Sequence, residues 1–210
     1  MKTILHKLAR IGLREDLNPY EAKRIQVFNY SNLFGFIASL TRIIYISFFS
    51  VNRYTELTIL VNMLPLVLCI VMGTCMYYQK YKTATYLSFL CFPPVILMMY
   101  VSTLDSSVSF FLILYFVFPF FFLNRPKNII AAFMITVCCY LMVQFAGTFH
   151  LLFYSDSFYK YDAGLNYIDI GLSLTFIFSS LYAIKFMVWA YQQSISKKKN
   201  LIEYRPFLRK

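Results

Sequence analysis

The sequence has little charge for its length. Only 14% of its 210 residues are charged, whereas about 25% is usual in soluble domains, and 60% are hydrophobic. A soluble globule of this length could not bury 23 Phe and 18 Tyr together with the aliphatic residues. The composition therefore excludes a soluble protein and predicts that lipid is part of the solvent.

Catalytic and metal-binding patterns are missing as well. The chain has no HExxH, GxSxG, P-loop or GxGxxG motif and no pair of carboxylates inside an apolar run. Two histidines cannot form a typical His-rich metal site, and the five cysteines lie inside apolar runs without a CxxC pair. We therefore expect no enzyme activity, no metal and no cofactor. The lack of an acid in the middle of any apolar run also disfavours a proton- or sodium-coupled transporter.

What the sequence does contain is a series of long apolar segments, each bounded by a short polar break. A membrane-spanning helix needs about 20 mostly apolar residues. Six segments qualify: 28–51, 57–78, 84–103, 108–124, 129–152 and 167–191. The fourth is the shortest and can span only with little tilt. The pattern predicts an all-α integral membrane protein with six transmembrane helices.

The basic residues, which produce a net charge of +11, predict the orientation of these helices. Nucleic acid is excluded as the partner because the basic residues group on one side of the predicted membrane. That side holds sixteen of the 20: Lys2, Lys7, Arg10, Arg14, Lys23, Arg24, Lys80, Lys82, Arg125, Lys127, Lys197, Lys198, Lys199, Arg205, Arg209 and Lys210. Both termini are therefore expected in the cytoplasm of a bacterial cell with the chain in its inner membrane, and anionic lipid is the expected partner at that face. Residues 1–25 lack the apolar region of a cleavable signal peptide.

Residues 1–27 form a separate cytoplasmic segment. Ile4, Leu8 and Ile11 share one helical face, which predicts a basic amphipathic helix at the lipid headgroups. Gly12 weakens that helix, and Asn18 with Pro19 predicts a new helix start that leads into the first span. The segment is either a fixed anchor or a movable collar that transmits signals. The remaining chain divides into a transmembrane domain, 28–191, and a basic cytoplasmic tail, 192–210.

Prolines occur inside three consecutive spans, at Pro65, at Pro93 with Pro94, and at Pro119. Each removes a backbone donor and tends to kink its helix. Three neighbouring kinked helices favour a cavity between them.

Arg42 is the one charge placed deep inside a span, about 15 Å from its outer boundary at 1.5 Å per residue. A buried charge needs a partner, so Arg42 should face the bundle interior and meet an acid, a carbonyl or an anionic ligand. The candidate partners in the outer half are Asp169, Asp105, Asn62 and His150. We predict an outward-facing ligand site made by Arg42, Tyr45, Asn62, His150 and Asp169. The alternative is a purely structural arginine held by carbonyls and tyrosines.

One family resemblance is present in residues 11–42. The features that carry it are Ile11-Gly12, a short acidic linker, the capped helix start at Glu21 with Lys23-Arg24-Ile25, and Asn29 at the beginning of the first span. This stretch resembles the start of the membrane-embedded N-terminal region of Bacteroidota sensor histidine kinases and related signalling proteins. The resemblance implies a sensor whose last helix leads to a cytoplasmic output, but it implies no ligand and no site residues.

The expected function is therefore a sensory module that detects a ligand or the membrane state from the outer half of the bundle. The residues after Tyr191 are too few for a sustained coiled coil and include Pro206, so we expect no catalytic domain of its own and output through a cytoplasmic signalling partner or self-association. The alternative is the substrate-binding membrane subunit of a vitamin-type transporter, which also has six spans and a basic cytoplasmic face. A structural membrane scaffold is a third interpretation.

Overall fold

The computed structural model describes residues 7–14, 16–49, 56–103, 109–153 and 163–204. Side chains are described throughout these ranges except at 146–153, 163–165, 183, 194 and 197–204. All regular secondary structure in the described ranges is helical. The chain is therefore all-α, as its composition predicts.

Within the described ranges, six helices make up the bundle. They are α1 (Pro19–Ile44), α2 (Glu56–Tyr77), α3 (Tyr81–Thr103), α4 (Phe110–Phe122), α5 (Pro126–Phe153) and α6 (Ala163–Tyr204), with a π-helical turn at Tyr45–Phe49 that continues α1. Five of them are long and apolar enough to cross a membrane. The exception is α4, whose 13 residues are about 20 Å long against a hydrocarbon layer of about 30 Å. Five of the six predicted spans thus have a helix of sufficient length, and the crossing by α4 stays a prediction.

The first helix begins where the sequence predicts. Asn18 is its N-cap and accepts a hydrogen bond from the Glu21 N–H at 2.8 Å. Pro19 occupies the first helical position, where a missing N–H costs nothing. From there the helical segment runs without a break through Phe49. The predicted boundary at 27/28 lies inside α1, and the one at 191/192 lies inside α6.

Successive helices run in opposite directions between two ends of the bundle. We call one the basic end, where α1, α3 and α5 begin: Arg24 of α1 donates to the Phe122 carbonyl at the end of α4, and Asn128 of α5 donates to the Tyr86 hydroxyl of α3 at 2.6 Å. We call the other the Arg42 end, because Arg42 lies in the last turn of α1 there. Tyr20 contacts Tyr191 at the basic end, so α6 continues for 13 residues beyond this contact, about 20 Å of helix.

Five helices surround a central space. Around this space α1 packs against α2, α2 against α3, α3 against α4, α4 against α6, and α6 against α1. The remaining helix, α5, packs mainly against α3 and α4. Large apolar side chains are exposed on the outer surface, among them Leu57, Phe120 and Phe178, each at least 60% exposed. Such a surface is what lipid requires and water disfavours.

The N-terminal segment is docked on the basic end. Residues 7–9 form one helical turn, and the Asn29 side chain donates to the carbonyls of Ala9 and Ile11 at 3.1 and 2.8 Å. Gly12 has φ +77°, and a Cβ there would come within 2.6 Å of the Met76 carbonyl oxygen. Part of the predicted amphipathic helix falls on residues 1–6, which lie outside the described residues, so that helix stays a prediction.

Candidate ligand site

Arg42 lies in the bundle interior with 2% of its surface exposed. Its Nε donates to Asn62 Oδ1 at 2.8 Å, its Nη2 donates to Thr103 Oγ1 at 3.1 Å, and its Nη1 forms an ion pair with Asp169 Oδ2. The guanidinium thus connects α1 to α2, α3 and α6. A charge at this depth is tolerated because each nitrogen has a polar partner and the net charge of the pair is zero.

The partners of Arg42 are themselves held in place. Asn62 is 1% exposed, and its Nδ2 donates to the Thr58 carbonyl at 2.8 Å and to Ser102 Oγ at 3.3 Å. Thr103 Oγ1 donates in turn to the Met99 carbonyl at 2.9 Å. The donor groups of Asn62 and Thr103 are thus used on backbone carbonyls and on Ser102. Their oxygens, Asn62 Oδ1 and Thr103 Oγ1, therefore face the guanidinium as acceptors.

Asp169 completes the pair from the second turn of α6 and is fully buried. Its Oδ1 has no hydrogen-bond partner among the described residues. A buried carboxylate oxygen without a donor is unfavourable by about 1–3 kcal/mol or more. This atom is therefore the place in the site where an added hydrogen-bond donor would be stabilised.

The structure brings together three of the five residues predicted for this site, namely Arg42, Asn62 and Asp169. Tyr45 is the first residue of the π-helical turn, is half-buried, and stacks on Phe49 with ring centroids 6.5 Å apart. His150 belongs to α5, but its side chain lies outside the described residues, as does Asp105. Ligand binding by these residues stays a prediction.

Sequence reasoning missed Thr103 and Ser102, which supply hydroxyls from the end of α3. Predicted depth did not point to them, because the third predicted span ends at Thr103 whereas Arg42 is expected about 15 Å inside the outer boundary. Two adjacent hydroxyls at the end of an apolar run look like an ordinary helix boundary in the sequence. Their role depends on the packing of α3 against α2.

A central cavity extends from the Arg42–Asp169 pair toward the basic end. It leaves about 70 Å³ for the centres of water-sized molecules, several times the roughly 10–15 Å³ that one water needs and about half of the roughly 150 Å³ of a cavity that binds benzene. Its walls come from α1, α2, α3, α4 and α6, and nine of its 22 described lining residues are aromatic; Phe34, Phe92, Tyr115 and Phe176 are examples. Of the prolines inside the predicted spans, Pro65 lines it, whereas Pro93, Pro94 and Pro119 are not among its described lining residues. The described side chains of α5 do not contribute to the lining.

This arrangement is suited to binding a small, mostly apolar molecule. The aromatic side chains offer dispersion contacts, and two of them, Phe34 and Phe176, stack on each other with ring centroids 4.8 Å apart. The Arg42–Asp169 pair offers the fixed polar group that orients a ligand in an apolar pocket. Among the residues described, no group of His, Cys, Asp and Glu side chains could hold a metal ion.

Comparisons with protein-family models, with curated proteins and with solved structures gave no match to this chain.

Proposed function

We propose that this chain is a multi-pass membrane sensor that binds a small apolar ligand in the central cavity, beside the Arg42–Asp169 pair. The basic end faces the cytoplasm and the Arg42 end lies in the outer half of the membrane, so that α4 makes the sixth crossing. The resemblance of residues 11–42 to sensor kinase membrane regions supports this function, and the excess of Lys and Arg at the basic end supports this orientation.

The observation that carries the proposal is the position of Asp169 in α6. The same helix forms the ion pair at the Arg42 end, lines the cavity with Phe176, and continues to Tyr204. At 1.5 Å per residue its 42 residues are about 63 Å long. A ligand that contacts Asp169 more favourably in one position of α6 than in another shifts the equilibrium between those positions, and the far end of the helix moves with it.

The ligand class follows from the charges of the site. Arg42 is already neutralised by Asp169, so the cavity offers no net positive charge to a carboxylate. Asp169 Oδ1 has no hydrogen-bond partner among the described residues and can accept a hydrogen bond from a ligand instead. The site therefore selects a small apolar molecule that carries an amine or hydroxyl donor.

A panel of three small probes tests the site: propylamine, propanol and propionate, each added to the purified protein in neutral detergent. We expect propylamine and propanol to raise the unfolding temperature and propionate to leave it unchanged.

Two variants complete this test. Ala38 is buried and lines the cavity, so Ala38→Leu should abolish the stabilisation by filling the space. Ala131→Leu is the matched control because Ala131 is exposed on α5. Stabilisation that survives Ala38→Leu, or that propionate produces equally, would overturn the cavity assignment.

A cavity inside the helix bundle is also what the substrate-binding subunit of a transporter requires, so transport is the competing function. It is separated from sensing by an uptake assay in vesicles with a panel of labelled vitamins. We expect no accumulation. Accumulation that depends on an ATPase partner would replace the sensor proposal with the transporter function.

A further inference from the structure

A second cavity opens at the basic end, between the starts of α1 and α3 and the turn that joins α4 to α5. It leaves about 700 Å³ for the centres of water-sized molecules. Its basic lining residues are Arg14, Arg24, Lys80, Lys82 and Arg125, and Glu21 is the one acid among its described lining residues. We propose that this basic-end cavity binds the phosphate group of an anionic molecule. The proposal does not depend on the sensor function.

The strongest support is Arg24, which is buried with 7% of its surface exposed. Its Nη2 donates to the Phe122 carbonyl and its guanidinium lies 5.4 Å from the centre of the Tyr81 ring. Neither contact neutralises the charge. Within the described ranges Arg24 forms no ion pair, and its Nε is buried without a hydrogen-bond partner. A buried cation of this kind needs a counter-charge, and an anion in the adjoining cavity supplies it.

The backbone of α3 adds to the positive potential. Its first residues, Tyr81 to Thr83, line the cavity. The first N–H groups of a helix have no partner within the helix, and the helix dipole places partial positive charge there. Helix starts bind phosphate for both reasons. Arg125, which directly precedes α5, brings a second positive group to the same space.

Phosphate is the anion that best fits this set of donors. A planar guanidinium binds two of its oxygens at once, while lysine ammonium groups and backbone N–H groups bind as separate point donors. Arg14 is partly neutralised by Asp16 at 3.2 Å, which leaves Arg24, Lys80, Lys82 and Arg125 as the main cations. Two sources can supply the group: the headgroup of an anionic phospholipid, or a soluble phosphate.

Native mass spectrometry of the purified full chain tests the proposal with stated probes. The protein in neutral detergent is titrated with dioleoyl phosphatidylglycerol, with dioleoyl phosphatidylcholine and with inorganic phosphate as competitor. The test variant is Lys82→Ala/Arg125→Ala, and the control is Lys127→Ala/Lys185→Ala. All four residues are exposed, and the control pair lies outside the lining of the cavity. Each double variant removes two positive charges, so unspecific attraction falls equally in both.

We expect wild type to bind phosphatidylglycerol at least about tenfold more tightly than phosphatidylcholine. The test variant should lose about tenfold in its affinity for phosphatidylglycerol, whereas the control should keep the wild-type affinity. Displacement by inorganic phosphate identifies soluble phosphate as a sufficient ligand, whereas binding that phosphate does not displace identifies the lipid headgroup. Equal losses in the two double variants, or no preference of wild type for phosphatidylglycerol, would overturn the proposal.

Discussion

At the residue scale, Arg42 determines which ligands the central cavity can take. Its Nε, Nη1 and Nη2 each contact a neighbouring side chain, on three different helices. An anionic ligand would have to displace Asp169 to reach the guanidinium. A ligand with a hydrogen-bond donor can reach Asp169 Oδ1 without breaking a contact. We therefore expect the cavity to bind ligands that carry a donor group.

The buried pair also makes a prediction about stability. Removing one partner leaves the other charge uncompensated, so Arg42→Met alone or Asp169→Leu alone should lower the free energy of unfolding by about 3–5 kcal/mol. The double variant should regain at least about 2 kcal/mol of this loss because no charge remains buried. Unfolding in mixtures of neutral detergent and dodecyl sulfate measures these differences.

The control for this cycle is Lys185→Met, which removes an exposed positive charge and should change the free energy of unfolding by less than about 0.5 kcal/mol. Additive effects of the two single substitutions would contradict an energetic coupling between Arg42 and Asp169.

The burial of Arg42 follows from its position in the sequence, because a charge so deep in an apolar run must turn inward. Which of its possible partners it meets does not follow. Asp169 is 127 positions away in the chain, and only the packing of α6 against α1 brings the two together. The sequence offered four candidates, and the structure places two of them, Asp169 and Asn62, on the guanidinium, whereas Asp105 and the His150 side chain lie outside the described residues.

At the element scale, the start of α1 depends on a single cap. Asn18 Oδ1 accepts from the Glu21 N–H, which would otherwise lack a partner at the helix end. Asn18→Ala should therefore cost about 1 kcal/mol, while Asn18→Ser should cost only a few tenths, since serine is an equivalent cap. The same detergent unfolding assay checks both. An equal loss in the two variants would show that the hydrogen bond is not what stabilises this helix start.

The N-terminal segment makes a second element-scale prediction. Gly12 has φ +77° and lies against the Met76 carbonyl, so Gly12→Ala introduces both backbone strain and a steric clash. We expect this variant to release the segment from the basic end and to accelerate tryptic cleavage after Arg10 and Arg14 at least about tenfold. Backbone strain of about 1–2 kcal/mol from the left-handed conformation by itself accounts for nearly a tenfold increase in the population of the released segment.

Gly171→Ala is the matched glycine control. Gly171 lies within α6, and a Cβ there would meet nothing within 4 Å. Alanine is the better helix former, so this variant should be neutral or slightly stabilising. Unchanged cleavage in Gly12→Ala would contradict the close docking of the segment and would favour a loosely held collar over a fixed anchor.

At the scale of the whole molecule, the number of crossings decides where the two ends of the chain lie. Six crossings place both termini on one side, whereas five would place them on opposite sides. The open point is α4, which is strongly apolar but only 13 residues long. It runs from the Arg42 end to the basic end and packs on α3, α5 and α6. Because it is shorter than the hydrocarbon layer, its crossing requires a locally thinned membrane or a contribution from the short segments that flank it.

Reporter fusions test this topology. We expect a cytoplasmic signal for fusions at the C-terminus and after residues 80 and 125, and a periplasmic signal for fusions after residues 53 and 160. The excess of Lys and Arg beside the first group is the physical reason. A C-terminal fusion on the opposite side from the N-terminus would contradict six crossings and would point to α4 as a helix that does not span.

The sequence alone determined that the chain is helical and apolar, where α2 to α5 lie to within three residues, and that Arg42 must be buried. These properties are local: they depend on hydropathy over one segment, on a cap such as Asn18, and on the high cost of a charge in lipid. Only the tertiary structure decided that Asp169, Asn62 and Thr103 surround Arg42, that α5 lies outside the ring of five helices, and that Arg24 adjoins a basic cavity. Those facts depend on which faces pack together, and nearly uniform apolar helices contain little sequence information about that choice.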